Sequence, residues 1–265
     1  MARPSPTIAM TTLDPGALAV PIAMAVAAGL VGSFAVMRRM TLASDALSHV
    51  ALPGIGLAIL LRLNPVAGGV AALLFGVGVI WLVEHRTRIP TEAIVGVVFS
   101  AALAIGSMLT SGEELLEALF GAESTPGRTE TMLGLGTAVL VSAFVLRARN
   151  RLLLALVSGD LARTAGIRVA RLDLFYLLAF AVTVALGLRY LGTLLMGSLI
   201  IIPPATARHL ARNLDQMLAI SVALAVSATL LGTVAAHGLH LPGGAMIIAV
   251  AAGFFLVSLP LRRPA

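Results

Sequence analysis

Asp45 and His49 are the residues best suited to chemistry in an otherwise apolar chain. They stand in the run Arg38-Arg39-Met40-Thr41-Leu42-Ala43-Ser44-Asp45-Ala46-Leu47-Ser48-His49, four residues apart. On a helix that spacing puts both on one face, about 6 Å from each other. If the membrane edge lies near Arg39, His49 is about 15 Å deeper, close to the bilayer midplane. Ionisable groups at such depth are costly and default to a functional role. A carboxylate and an imidazole on one face offer oxygen and nitrogen ligands that suit Zn²⁺ or Mn²⁺ in transit. The structural alternative is that Asp45 caps its helix or pairs with Arg38 or Arg39, while His49 bonds to a neighbouring helix. D-x-x-x-H is a short pattern, and spacing alone leaves both readings open.

A second cluster is His237-Gly238-Leu239-His240-Leu241-Pro242. Two histidines there can receive a metal at an outer pore mouth, or simply be solvated at the interface. His85 and His209 sit beside arginines and read as loop residues. There is no cysteine, so thiolate ligands and cysteine nucleophiles are excluded. All 18 basic residues are arginine. Without lysine the chain has no G-x-x-x-x-G-K-[ST] phosphate loop and no Schiff base, so ATP must be bound by another subunit if it powers this one. No cofactor is expected in the chain itself. H-E-x-x-H and G-x-S-x-G are also absent, which disfavours an intramembrane hydrolase.

These residues need a membrane scaffold. The 265-residue chain is 59% hydrophobic and 11% charged, with a mean hydropathy of +1.02. Soluble domains carry about a quarter charged residues. Apolar runs long enough to span occur near 16–37, 45–62, 65–83, 91–110, 131–147, 172–189, 191–207, 215–236 and 243–261. The expected fold is an all-α polytopic transmembrane bundle of eight or nine spanning helices, forming a single transmembrane domain over 1–265. Only Arg3 precedes the first run and no small-x-small cleavage site follows, so that run is expected to stay in the protein. The net charge of +6 does not indicate nucleic acid, because the arginines lie in short tracts between apolar runs. With residue 1 outside, fourteen arginines fall on the inner side and four, Arg3, Arg62, Arg128 and Arg189, on the outer. This predicts the N-terminus out and the C-terminus in.

Gly187, Arg189, Gly192 and Pro203-Pro204 interrupt the apolar stretch 172–207. A break at the prolines would free carbonyls that must line a cavity or meet another helix, which places the segment beside a translocation path. Gly68, Gly69, Gly76 and Gly78 read as close-packing positions. The acidic loop 111–130 carries Leu115, Leu116, Leu119 and Phe120 at helical spacing, either a surface anchor or a docking surface for an extracytoplasmic partner. Between 147 and 171, Ser158 can cap a short helix starting Gly159-Asp160-Leu161-Ala162, and Gly166 can close it. That helix is either an ordinary interfacial one or a grip for a cytoplasmic motor.

The run Arg38 to Gly54, RRMTLASDALSHVALPG, resembles the signature of the membrane subunit of bacterial ABC importers for zinc, manganese or iron. So do Asn64-Pro65, TEAIVGVVFSAALAIGS, ELLEALFG, SGDLARTAGIRV and GTLLMGSLIIIPPATARHLARNLDQM, in order along most of the chain. The resemblance implies that Asp45 and His49 handle the metal in transit. It makes Ser158 to Gly166, with Asp160, Leu161, Ala162 and Gly166, the coupling helix that docks on a separate ATPase. Two permease copies would pair in the inner membrane, and an extracytoplasmic metal-binding protein would deliver the ion. Ser44 stands where glycine is common, and His240 where an acid is often found. The ATARHLARNLDQM stretch looks closer to the zinc branch. A self-contained carrier, with Asp45 and His49 as a proton relay, is the alternative from another class.

Overall fold

A computed structural model describes residues 15–40, 43–87, 89–109, 127–190, 193–239 and 241–260, leaving aside the side chains of 15–17, 44, 45, 188–190, 193 and 194. The described residues form helices and no strand: α1 (Pro15–Met37), α2 (Ala43–Leu60), α3 (Pro65–Arg86), α4 (Thr91–Leu109), α5 (Arg128–Val157), α6 (Gly159–Thr164), α7 (Val169–Tyr190), α8 (Thr193–Leu210), α9 (Leu214–Leu239) and α10 (Gly243–Ser258). Six of these are long and apolar enough to cross a membrane by length and composition, and Ala46–Leu60 and Gly243–Ser258 are shorter apolar helices. The fold is a polytopic helical bundle.

Local chemistry sets the helix ends. Asn64 caps α3, its Oδ1 accepting from the N–H groups of Val66 and Ala67, and Pro65 fits the first turn, where no intrahelical donor is needed. At the end of α1, Arg39 turns left-handed (φ 60°), so that Met40 N–H reaches Ala35 O at 2.9 Å and Arg39 N–H reaches Val36 O at 3.3 Å. Arg62 (φ 55°) closes α2 in the same way. These are helix-terminating hydrogen-bond pairs that usually employ glycine.

Helix ends sort into two sides. Arg38 at the end of α1 meets Asp173 near the start of α7, Arg208 at the end of α8 reaches Val36 O, and Arg149 late in α5 pairs with Asp215 at the start of α9. Thr91 opening α4 donates to Glu84 at the end of α3, and Phe255 of α10 meets His209 of α8. Side-chain contacts give the same sense: α2 is antiparallel to α3 (Val50 on Gly76, Ile55 on Gly69) and parallel to α4 (His49 on Phe99, Gly56 on Leu109). The arginine-rich ends therefore share one level, the arrangement that the sequence assigned to the inner side.

Three expectations change. The run 131–147 extends to a 30-residue helix, about 45 Å long, because no helix breaker intervenes before Ser158-Gly159 and the buried Ala148 and Leu152 continue its packed face. Pro203 and Pro204 do not break the chain: α8 runs through them. Their missing N–H groups leave the carbonyls of Leu199 and Ile200 without an i+4 donor, and the Ile200 carbonyl packs against Gly32 of α1, so it meets another helix. Gly68, Gly69 and Gly76 face α2 at close range, whereas Gly78 has open space beside it and packs on nothing within 4 Å.

Candidate functional site

Asp45 is the third residue of α2 and His49 lies one helical turn further on. The Asp45 side chain lies outside the described residues. The imidazole of His49 is partly buried, with the ring of Phe99 edge-on at 5.5 Å. Because α2 begins at Ala43 rather than at Arg39, the helical rise to His49 is only about 9 Å. Its neighbours nevertheless put it deep. Phe99 is eight residues, about 12 Å, into α4, and Gly76, which packs on Val50, is about 15 Å from the end of α3.

The backbone around this turn is packed tightly. The Gly54 carbonyl of α2 and the Gly68 carbonyl of α3 each lie against the other glycine, so neither position has room for a Cβ. Met40, Ala43, Leu47 and Val50 are buried around the turn that carries the pair. The first turns of α2 are therefore fixed by packing, which is what positioning an ion ligand requires.

Arg38 makes its ion pair with Asp173, and no described contact assigns it to Asp45. Among the described residues, no three His, Asp or Glu side chains gather closely enough to enclose a metal ion. His237 is exposed in the last turn of α9, while His240, its proposed companion, lies outside the described residues. The acidic segment 110–126 also lies outside them. Glu130 belongs to α5, where its carboxylate accepts from Gly127 N–H at 3.2 Å. His85 and His209 are not loop residues, since they occupy the last turns of α3 and α8. Each has an aromatic neighbour, His85 tilted 36° against Trp81 at 5.1 Å and His209 edge-on to Phe255 at 5.7 Å.

The short helix between α5 and α7 forms where its capping residues allow. Ser158 Oγ accepts from Leu161 N–H at 3.3 Å, Asp160 pairs with Arg163 at 3.1 Å, and Gly166 adopts φ +77°. That conformation lets Ile167 N–H reach Ala162 O at 2.9 Å, so the joint into α7 is short and hydrogen-bonded. Ala162 is fully buried and seats the helix, while Asp160 and Leu161 face outward.

The sequence reading passed over a cluster at the arginine-rich end. Arg38 Nη2 donates to Asp173 Oδ1 at 2.5 Å, and its guanidinium lies 4.6 Å from the centre of the buried Tyr176 ring. Trp81 Nε1 donates to Ala170 O at 2.8 Å, and His85 Nε2 is 3.9 Å from Asp173 Oδ2. The signal was present: Asp173 falls inside a predicted span, where an ionisable residue demands an explanation.

This scaffold holds one acid-histidine turn inside the bundle and one short capped helix outside it, and the chain matches the ABC 3 transport family over residues 11–262. The chain belongs to the ABC 3 transport family. It is 30% identical over 246 residues to the manganese import system permease protein ScaB of Streptococcus parasanguinis, covering 91% of this chain and 88% of that one. It is 29% identical over 240 residues to the high-affinity zinc uptake system membrane protein ZnuB of Haemophilus influenzae, covering 88% and 91%. A solved structure, PsaBC from Streptococcus pneumoniae in complex with Fab, superposes with a TM-score of 0.78 at 27% identity, covering 92% and 90%. As an ABC 3 chain this is a multi-pass membrane transport subunit, not a catalytic enzyme. The apparent leaning to the zinc branch is not resolved, since manganese-named and zinc-named relatives are equally similar.

Proposed function

We propose that the chain is the membrane permease subunit of an ATP-binding cassette importer that moves a divalent transition metal ion across a bacterial cytoplasmic membrane. Zn²⁺ is the first candidate and Mn²⁺ the second. One observation supports the reading most: His49, one turn after Asp45, lies inside the bundle of a chain that aligns along 91% of its length with a relative named as a manganese permease. An imidazole and a carboxylate bind either ion, and the general order of divalent affinities favours zinc over manganese at such donors. Two ligands make a weak site, which suits conduction, because an ion held too tightly does not leave.

In this reading the power comes from a separate ATPase subunit that docks on α6, with Leu161 and Asp160 as the outward contacts, Ala162 seating the helix and Gly166 closing it. Two permease copies surround the path, and an extracytoplasmic metal-binding protein delivers the ion. The test is uptake in cells stripped of their own zinc and manganese importers and supplied with the complete transporter. Asp45→Asn and His49→Ala should abolish metal-dependent uptake while the complex still assembles. Uptake unchanged in both variants removes the site assignment. Metal-stimulated ATP hydrolysis by the purified complex, measured over a panel of divalent ions, decides between zinc and manganese.

A further inference from the structure

Arg38 and Asp173 are 12% and 16% exposed, and they are joined at a place where three helices end. The first turn of α7 is tied twice. Ala170 O takes the Trp81 indole N–H from α3, and Asp173 takes the Arg38 guanidinium from α1. Below that turn, Gly166 and the Ile167-to-Ala162 hydrogen bond join α7 to α6 through a short connection with little slack. Beyond Arg38, the left-handed Arg39 and the Met40-to-Ala35 and Ala43-to-Met40 hydrogen bonds lead directly into α2. Asp45 is seven residues from Arg38.

We propose that Arg38 and Asp173 form the transmission contact that carries a displacement of α6 to the joint between α1 and α2, and so to the turn bearing Asp45 and His49. They are positioning residues for transport, and neither is an ion ligand. The idea rests on the permease reading above, with α6 as the ATPase dock. Three features favour a discrete, switching contact over plain packing. The pair is charge-assisted and largely shielded from water, so breaking it is a stepwise event. The guanidinium also rests on Tyr176, whose hydroxyl donates to Val31 O at 3.0 Å, so the same cation is registered against both α7 and α1. Arg38 Nε is buried with no hydrogen-bond partner among the described residues, which leaves one donor available to a different arrangement. Trp81 extends the tie to α3, whose Gly76 packs on Val50 beside His49.

The test uses the complete transporter in proteoliposomes and reads two quantities together, the metal ion moved and the ATP hydrolysed. Asp173→Asn and Arg38→Gln are expected to keep the ATPase bound and hydrolysing, while ions moved per ATP fall roughly three- to thirty-fold. Asp173→Glu keeps the charge but lengthens the arm, so it should give an intermediate ratio even if the neutral variants assemble poorly. The reversed pair, R38D with D173R, should recover part of the lost coupling. Unchanged ions per ATP in Asp173→Asn and Asp173→Glu would overturn the transmission role, and so would a proportional fall of transport and hydrolysis in every variant, the pattern of a merely structural contact. A wild-type complex that moves no divalent metal when it hydrolyses ATP defeats the permease reading itself, whereas a transporting wild type with fully coupled variants defeats only this contact.

Discussion

Gly32 makes a demanding contact, and replacing it tests how α1 and α8 are held. Its would-be Cβ points at the Ile200 carbonyl, with Pro204 Cγ 2.8 Å away. A carbon normally rests about 3.3–3.6 Å from a carbonyl oxygen, so Gly32→Ala forces the two helices apart by about 1 Å. The obstacle is backbone and cannot rotate aside. Proline at 204 fixes the local dihedral and also removes the donor that would have turned the carbonyl inward. Overpacking of this kind costs about 1–3 kcal/mol, with a rigid neighbour favouring the upper end. Against it stands the higher helix propensity of alanine, worth up to about 1 kcal/mol. The net expectation is a loss of about 2 kcal/mol.

Gly253 of α10 supplies the control, since nothing lies within 4 Å of its would-be Cβ and alanine there keeps the propensity gain without the collision. Heating the detergent-solubilised protein and following the monodisperse fraction by size exclusion should give a midpoint for Gly32→Ala clearly below wild type, with Gly253→Ala at or above it. If Gly32→Ala matches or exceeds wild type, the close approach of α1 to the proline-freed carbonyl is not what joins these helices, and the account of Pro203-Pro204 fails with it.

Other substitutions separate roles within the chain. Leu161→Glu changes an exposed side chain, so the thermal midpoint should stay within about 0.5 kcal/mol of wild type, while co-purification of the ATPase subunit should be lost. Retention of the ATPase would exclude Leu161 from the dock. Ala162→Leu puts three extra carbons into a fully buried position and should cost about 1–3 kcal/mol, read as a lower midpoint. Gly166→Ala must adopt φ +77° with a Cβ, which costs about 1–2 kcal/mol and should loosen the α6–α7 joint, measured as faster proteolysis there. Trp81→Phe keeps an aromatic ring of smaller size but removes the indole N–H to Ala170, a loss of at least about 1 kcal/mol read as a lower thermal midpoint.

Much of this architecture is legible from residue type alone, and each success has a local cause. Asn64-Pro65 and Ser158-Gly159 are capping signals, so the helix starts at 65 and 159 follow from one or two side chains. Errors arose where a distant element decides. Pro203-Pro204 looks like a break in one dimension, but the freed Ile200 carbonyl is accommodated by Gly32, 168 positions earlier in the chain. The arginines at 147, 149 and 151 look like the end of a span. The helix runs on because Ala148 and Leu152 remain buried, and Arg149 finds Asp215 on α9. The Asp45–His49 pair was visible because both members lie on one turn. Arg38 with Asp173 was not, because its members are 135 residues apart.

The two ends of the bundle are held by different physics. Among the described residues, the bonds that link helices through charged side chains, Arg38 to Asp173, Arg149 to Asp215, Arg208 to Val36 O and Thr91 to Glu84, all lie at the arginine-rich end. Toward the other end, helices meet through small residues: Gly54 against Gly68, Gly187 against Met196 and Gly232 against Ile247. Close glycine contacts resist separation of the helices but have little angular preference, since dispersion between packed surfaces is non-directional. Charge-assisted hydrogen bonds are directional and are either made or broken. In the proposed transport cycle a push applied at α6 would meet directional contacts that are either made or broken, whereas the described glycine contacts toward the far end could tolerate a small rotation. If the permease proposed above alternates access, this division keeps the polar rearrangements among the described residues at the arginine-rich end, where the proposed ATPase would dock, and away from lipid.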